Sequence, residues 1–118
     1  MSVDRLSRHS MGLIVGNHVK KRTRCIIKVY ANHCKYCEAL KGTYDSLVRL
    51  YPDFYFFAFN IADNPAIEKQ LGFRGVPTIL YVKTGPRGTL KIMPEPKKPD
   101  ATMWYRQADI KKLIEENK

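Results

Sequence analysis

Two cysteines separated by two residues are the strongest chemical signal in the sequence. Cys34 and Cys37 enclose a Lys-Tyr dipeptide at the point where a predicted strand meets a predicted helix. At a helix N-terminus, unpaired backbone N–H groups and the helix dipole stabilise a thiolate. The second cysteine, nearly one turn further on, is within reach of the first. The pair therefore predicts thiol–disulfide exchange, in which Cys34 attacks a substrate disulfide and Cys37 resolves the mixed disulfide.

Zinc binding is the alternative use of such a pair. A tetrahedral zinc site requires four ligands, usually supplied by two such pairs. The further ligands that the sequence offers are Cys25 and the scattered His9, His18 and His33. Because Cys25 lies within a predicted core strand, we interpret it as an inert core thiol in preference to a third redox partner. We therefore predict redox chemistry that requires neither a metal nor an organic cofactor.

Five segments predict β-strands that would hold the pair in place. They are residues 25–31, 54–59, 78–83, 89–93 and 101–106. The first three are almost continuously apolar, which is typical of strands covered on both faces. A proline-rich basic loop at 94–100 separates the last two, and its prolines exclude it from a paired central strand. Before residue 25, only Leu13–Val15 has strand character.

Three helices are predicted between and after these strands. Apolar residues recurring at spacings of three and four indicate a helix from the cysteine pair to about Leu50. Asn64 as N-cap and Pro65 predict the start of a short second helix, which ends at Gly72. A C-terminal helix begins at Asp109. The first two strands share a helical crossover and should be parallel, whereas the later strands should be antiparallel, so we expect an α/β sandwich.

The motifs and their separations resemble those of thioredoxin, with some resemblance to protein disulfide isomerase domains. Besides the cysteine pair, the resemblance rests on Asn60-Ile-Ala-Asp-Asn-Pro65 and Phe73-Arg-Gly-Val-Pro-Thr78, and it covers residues 25–118. It implies a thioredoxin-like three-layer α/β sandwich with a mixed central sheet and helices on both faces. Residues 1–24 would then be a basic N-terminal segment, either an edge strand of the same domain or an arm.

The resemblance also implies roles for individual residues. Cys34 would be the nucleophile and Cys37 the resolving cysteine. Gly75, Val76 and Pro77 would bind the substrate, with a cis bond before Pro77 and with backbone pairing to an extended client segment.

Two positions near the pair depart from the thioredoxin pattern. Lys28, six residues before Cys34, stands where the family typically has a buried Asp or Glu, and His33 stands where thioredoxins usually have Trp. Either Lys28 extends to the surface without a redox role, or Lys28, His33 and Lys35 together favour the thiolate. The second interpretation predicts a couple more oxidising than the roughly −270 mV of thioredoxin, toward about −230 to −180 mV.

The residue between the cysteines allows a further alternative. Tyr36 either belongs to the substrate-facing surface and tunes the redox pair, or it only fills space. Its position matches the tyrosine of the glutaredoxin Pro-Tyr motif, but Gly75-Val-Pro77 lacks the Thr that glutaredoxins have before Val-Pro. A glutaredoxin-like, glutathione-dependent reductase is therefore the weaker alternative.

Length, composition and charge indicate the number of domains and the type of protein. The 118 residues suit one domain, and 44% hydrophobic composition can fill its core. The formal net charge is +10, and residues 1–24 carry six basic side chains against Asp4 alone. Three cysteines are too few for a secreted disulfide framework, and no apolar stretch approaches a membrane span, so we expect a cytoplasmic protein that makes no membrane contact.

The charge bears on the expected partners. We expect disulfide-containing protein clients, acidic ones in particular, and a reductase or low-molecular-weight thiol that recycles the pair. The alternative is a non-catalytic thioredoxin-like binding subunit of a nucleic-acid enzyme or of another acidic partner, with non-specific nucleic-acid contact through residues 1–24. Along the chain, the basic residues are not interleaved with stacking aromatics, as a single-strand platform would require.

Overall fold

A mixed five-stranded sheet forms the centre of the computed structural model, which describes residues 3–99 and 101–118. The strands are β1 (Asp4–Arg5), β2 (Arg24–Tyr30), β3 (Tyr55–Asn60), β4 (Thr78–Lys83) and β5 (Thr89–Ile92). The helices are α1 (Arg8–Val15), α2 (Lys35–Leu50), α3 (Ile67–Leu71) and α4 (Gln107–Asn117), and a 3₁₀ turn covers Ile61–Asp63. The spatial order of the strands is β1, β3, β2, β4, β5.

The strand directions agree with the predicted crossover. β2 is parallel to β3, with Ile27 opposite Phe57, and β1 is parallel to β3 on its other side. β4 runs antiparallel to β2, placing Leu80 opposite Ile27, and β5 runs antiparallel to β4. The helical connection from β2 to β3 therefore places both carboxyl ends at one edge of the sheet, where the cysteine pair follows β2.

Helices cover both faces of the sheet, which confirms the predicted three-layer thioredoxin-like sandwich. Alternate residues of β2 enter different cores, because successive side chains on a strand point to opposite faces. Ile26 packs in the core beneath α2 and α4. Ile27 packs in the core beneath α1 and α3, together with Leu6 and Met11 from the N-terminal segment. Residues of that segment are therefore part of the packed structure.

Two predicted strand segments are not strands. Leu13–Val15 lies in α1, which starts where Ser7 accepts a 3.0 Å hydrogen bond from the Ser10 N–H and which buries Met11. Met11, Ile14 and Val15 have the i, i+3, i+4 spacing of one helix face, and this pattern outweighs the strand propensity of Leu13–Val15. The segment 101–106 contains no strand. Its path is instead set by Tyr105, whose buried side chain donates from its hydroxyl to the carbonyl oxygens of Met93 and Pro94, at 3.4 and 3.3 Å.

The start of the second predicted helix is also different. Asn64 and Pro65 precede α3, whose N-cap is Ala66 and has no side-chain cap hydrogen bond. Asn64 instead accepts a hydrogen bond from the N–H of Ile67 through its carbonyl oxygen, at 3.1 Å. Gly72 ends α3 in the left-handed region, with φ 81°, as predicted for a helix C-terminus. Within residues 3–99 and 101–118, no helix is both long and apolar enough to cross a membrane.

Candidate active site

The cysteine pair forms a disulfide at the N-terminus of α2. Cys34 and Cys37 are bonded, with their Cα atoms 5.2 Å apart. Cys34 is the N-cap residue, and its Sγ accepts a 3.2 Å hydrogen bond from the backbone N–H of Cys37. Cys34 is half-buried, whereas Cys37 is only 5% exposed. An incoming disulfide can therefore reach the first sulfur, while the second lies behind it.

A hydrogen bond between two asparagines holds the turn that leads into the pair. Asn60 at the end of β3 is buried and donates from its side-chain nitrogen to Asn32 Oδ1 at 3.1 Å. Its own Oδ1 accepts a 2.9 Å hydrogen bond from the N–H of Ala62. Asn32 precedes His33, which is exposed and adopts a positive φ of 58°. Sequence reasoning did not identify this tie, because its two partners lie on different strand ends.

The loop before β4 lies against the first cysteine. The carbonyl oxygen of Val76 is 3.9 Å from Cys34 Sγ, and the peptide bond between Val76 and Pro77 is cis. Thr78 donates from Oγ1 to the carbonyl oxygen of Gly75 at 2.8 Å, which orients the preceding turn. The fold thus brings together two motifs that are far apart in the sequence.

An aromatic pair joins the first turn of α2 to the segment before α4. The rings of Tyr36 and Trp104 have centroids 5.2 Å apart and are tilted by 55°. Trp104 belongs to the segment 101–106, for which the sequence predicts a last strand, but this segment is not a strand and crosses beside the N-terminus of α2. Trp104 is the single tryptophan of the chain, and only its tertiary position connects it with the site.

Lys28 lies beneath α2 and does not extend freely into solvent. It is 7% exposed, and its Nζ is 5.0 Å from the ring centroid of Tyr44. Lys28 and Cys37 line the same open groove of about 880 Å³. Burial lowers the pKa of Lys28, an effect that the nearby carboxylate of Asp45 partly offsets and the charge of Lys41 increases. Of the other predicted tuning residues, His33 and Lys35 are exposed, whereas Tyr36 is half-buried.

The third cysteine is remote from the pair. Cys25 is 3% exposed and packs in the core beneath α1 and α3. Burial raises the pKa of its thiol, and a contact of 3.7 Å with Thr23 Oγ1 partly opposes the shift. Across the described ranges 3–99 and 101–118, no cluster of three or more His, Cys, Asp or Glu side chains could hold a metal ion.

Comparisons with a family model and with solved structures found proteins that are similar to this chain. The thioredoxin family model matches residues 15–107. No curated protein sequence matches the chain significantly. Three similar solved structures are mitochondrial thioredoxin 3 of Saccharomyces cerevisiae in its oxidised form, thioredoxin f from spinach chloroplast and the J-Trx1 fragment of ERdj5.

The likeness to these structures extends over the whole fold. The yeast protein has a TM-score of 0.70 and 20% identity, covering 97% of this chain and 94% of that one. The spinach protein has a TM-score of 0.69 and 17% identity, covering 98% and 92%. The ERdj5 fragment has a TM-score of 0.66 and 13% identity, covering 98% of this chain and 49% of that one. At these identities the structural likeness shows the fold alone.

Proposed function

Because the chain belongs to the thioredoxin family, we propose that it is a thiol–disulfide oxidoreductase that exchanges its Cys34–Cys37 disulfide with protein disulfides. The observation that carries this proposal is the asymmetry of the two sulfurs at the N-terminus of α2. Cys34 is accessible and lies beside the Val76 carbonyl, whereas Cys37 is buried behind it. That arrangement suits one nucleophilic and one resolving sulfur.

The proposed reduction proceeds in two exchange steps. In the dithiol form, the Cys34 thiolate attacks one sulfur of the client disulfide, forming a mixed disulfide and releasing the other client sulfur as a thiolate, which is then protonated. The Cys37 thiolate next attacks Cys34 Sγ, which re-forms the intramolecular disulfide and releases the second client sulfur as a thiolate, which is then protonated. Two electrons pass from the protein to the client. The N–H of Cys37, 3.2 Å from Cys34 Sγ, and the dipole of α2 stabilise the attacking thiolate.

The Gly75–Pro77 loop is the proposed docking site for the client backbone. An extended client segment would pair with the backbone at Val76, which lies next to the attacking sulfur. The net charge of +10 favours acidic clients through long-range attraction. A reductase or a low-molecular-weight thiol would return the disulfide to the dithiol form.

The direct test is reduction of a protein disulfide with dithiothreitol as electron donor. We expect the protein to accelerate the reaction well above the rate with dithiothreitol alone. A rate equal to that background would contradict the proposal. Replacing dithiothreitol by glutathione tests the glutaredoxin-like alternative, for which glutathione should support turnover at least as well.

The contact between Tyr36 and Trp104 predicts a role in client recognition. We expect Trp104→Ala to lower kcat/KM for a protein disulfide by about three- to tenfold, the size of a lost aromatic contact. The reaction with a small-molecule disulfide should not change, because such a substrate needs only Cys34. Trp104→Phe retains a ring beside Tyr36 and is the matched control. An equal loss with both substrates would instead indicate that Trp104 positions the cysteine turn.

Lys28 is proposed to tune the potential of the pair. Its ammonium group, in the groove that Cys37 lines, would favour thiolates and therefore the reduced form, which makes the couple more oxidising. The exposed His33 and Lys35 would stabilise the thiolates less, because solvent screens their charges. The proposed potential lies above the roughly −270 mV of thioredoxin.

Substitution of Lys28 tests this tuning. We expect Lys28→Met to lower the potential by about 10–30 mV, where 30 mV corresponds to about 1.4 kcal/mol. Burial lowers the pKa of Lys28, so its charge is lost as pH rises through that lowered pKa, and the difference between variant and wild type should then shrink. Equilibration in defined glutathione buffers at several pH values measures both effects. Lys69→Met, an exposed change on α3, is the control, and an equal shift there would contradict the proposed tuning by Lys28.

A further inference from the structure

A cleft at the opposite end of the sheet from the cysteines collects five basic side chains. We call it the basic cleft, and its cations are Lys21, Arg22, Arg24, Lys83 and Arg87. Its volume is about 580 Å³, and among the residues that the structure describes, Asp53 is its one acidic lining residue. It lies at the amino end of β2 and the carboxyl end of antiparallel β4, whereas Cys34 follows the carboxyl end of β2. The length of β2 separates the two sites by about 20 Å.

Thr84 holds the walls of the basic cleft together. Its buried hydroxyl donates to the carbonyl oxygen of Lys21 at 2.6 Å and accepts from the N–H of Thr23 at 3.0 Å. The N–H of Thr84 in turn donates to the carbonyl oxygen of Thr23 at 3.0 Å. These bonds join the segment before β2 to the end of β4. Hydrogen bonds therefore fix the relative positions of the two backbone segments that bear the basic side chains.

A glycine allows the close approach of these two segments. Gly85 has a φ of 106°, and a Cβ there would lie 2.8 Å from Cγ of Arg22. Its N–H donates to the carbonyl oxygen of Val19 at 3.1 Å. The stem of Arg22 can therefore lie directly over the turn, which keeps its guanidinium group at the cleft.

The acidic side chains that the structure describes form no ion pairs with these cations. In the part of the chain that the structure describes, none of the five cations forms an ion pair, and the exposed Asp53 is not within ion-pair distance of any of them. Arg24 instead lies over the ring of Phe54, with its guanidinium carbon 4.6 Å from the ring centroid. The positive charge of the cleft is consequently available to an external anion.

An exposed aromatic side chain lines the same cleft. Tyr55, the first residue of β3, is 53% exposed. Its ring is parallel to that of Phe57, with an interplanar angle of 3° and centroids 6.1 Å apart. Along the chain, Tyr55 is about thirty residues away from the basic segment before β2. Only the pairing of β2 with β3 places it among the cations.

We propose that the basic cleft binds single-stranded nucleic acid, with its Lys and Arg side chains on the phosphates and Tyr55 stacked on a base. Proteins that bind single strands combine a positively charged groove with exposed aromatic rings on which bases stack, and the basic cleft has both features. A carboxylate-rich protein would need the cations but not the stacking surface. A membrane surface would favour exposed aliphatic side chains, and neither of the exposed leucines, Leu13 and Leu50, lines the cleft. This site is independent of the proposed redox activity.

Fluorescence anisotropy with a labelled 12-nucleotide single strand tests the proposal at graded salt concentrations. Removing two exposed cations in Lys21→Gln/Arg87→Gln should reduce the slope of log K against log salt by about 1.4, since each single-strand phosphate contact contributes about 0.7. Lys69→Gln/Lys111→Gln removes the same charge from exposed positions of α3 and α4, and its slope should stay near that of the wild type.

The stacking contact has its own test. Tyr55→Ala should weaken single-strand binding about tenfold, whereas Tyr55→Phe should bind like the wild type. The cleft variant and both Tyr55 variants should retain wild-type disulfide reduction, because Lys21, Arg87 and Tyr55 lie at the other end of the sheet. Three results would each overturn the proposal. The first is an equal decrease of the salt slope in Lys69→Gln/Lys111→Gln, and the second is unchanged single-strand binding by Tyr55→Ala. The third is binding of duplex DNA or of polyglutamate as tight as that of the single strand.

Discussion

Cys34→Ser should reduce the dithiothreitol-driven reduction of a protein disulfide to the rate of dithiothreitol alone. Serine has no sulfur, and its hydroxyl stays protonated at neutral pH, so no mixed disulfide can form at position 34. Cys37 is too buried to replace the nucleophile. The assay compares initial rates at equal protein concentration. Cys25→Ala is the matched control, because it removes a thiol that lies in the opposite core, and it should retain wild-type activity.

Cys37→Ser should behave differently from Cys34→Ser. Its nucleophile is intact, so the mixed disulfide forms, but no second thiolate is at hand to resolve it. We expect a covalent adduct between the protein and its client that is visible on non-reducing gels and disappears on reduction. Turnover by Cys34→Ser close to the wild-type rate, or adduct formation by Cys34→Ser but not by Cys37→Ser, would show that the two roles are wrongly assigned.

Tyr44→Ala should lower the free energy of unfolding by about 3–5 kcal/mol, a large part of the roughly 5–15 kcal/mol typical of a domain. Tyr44 is fully buried on α2, and its hydroxyl lies 2.8 Å from the carbonyl oxygen of Ile26 and 2.7 Å from that of Phe57. Burial raises the pKa of Tyr44, so the hydroxyl stays protonated, and its single proton is shared between the two carbonyl oxygens on β2 and β3. The variant loses both the ring and this tie between helix and sheet.

Denaturant unfolding under reducing conditions measures this loss. Tyr44→Phe keeps the ring and should cost about 1–3 kcal/mol, which isolates the hydroxyl. Tyr55→Ala, a change of an exposed tyrosine, should cost about 0.5 kcal/mol or less. A similar cost for Tyr44→Ala and Tyr55→Ala would contradict the role assigned to the Tyr44 contacts.

Much of the fold was predictable because short-range patterns of apolar residues identify most of its strands and helices. The apolar runs that became β2, β3 and β4 are continuous because both faces of these strands are covered. The spacing of apolar residues in α2 is that of one buried helix face. The prediction failed at α1, where three β-branched or aliphatic residues in a row resemble a strand. It failed again at 101–106, whose path depends on the contact of Tyr105 with the end of β5.

For the site, the sequence by itself determined the chemistry. Two cysteines at the start of an amphipathic helix predict thiol–disulfide exchange, because the helix terminus and their spacing are local properties. The Gly75–Pro77 motif could be associated with them only through the family resemblance. The structure places Val76 beside Cys34.

Only the tertiary structure decided what surrounds that chemistry. It placed Trp104 against Tyr36, buried Lys28 beneath α2, and gathered Tyr55 with cations from two other segments. Each of these groupings joins residues from different elements, and strand pairing and helix docking set their distances. A linear sequence shows periodicity within one element, but it does not show which residues of separate elements will meet, because that depends on how the whole core packs.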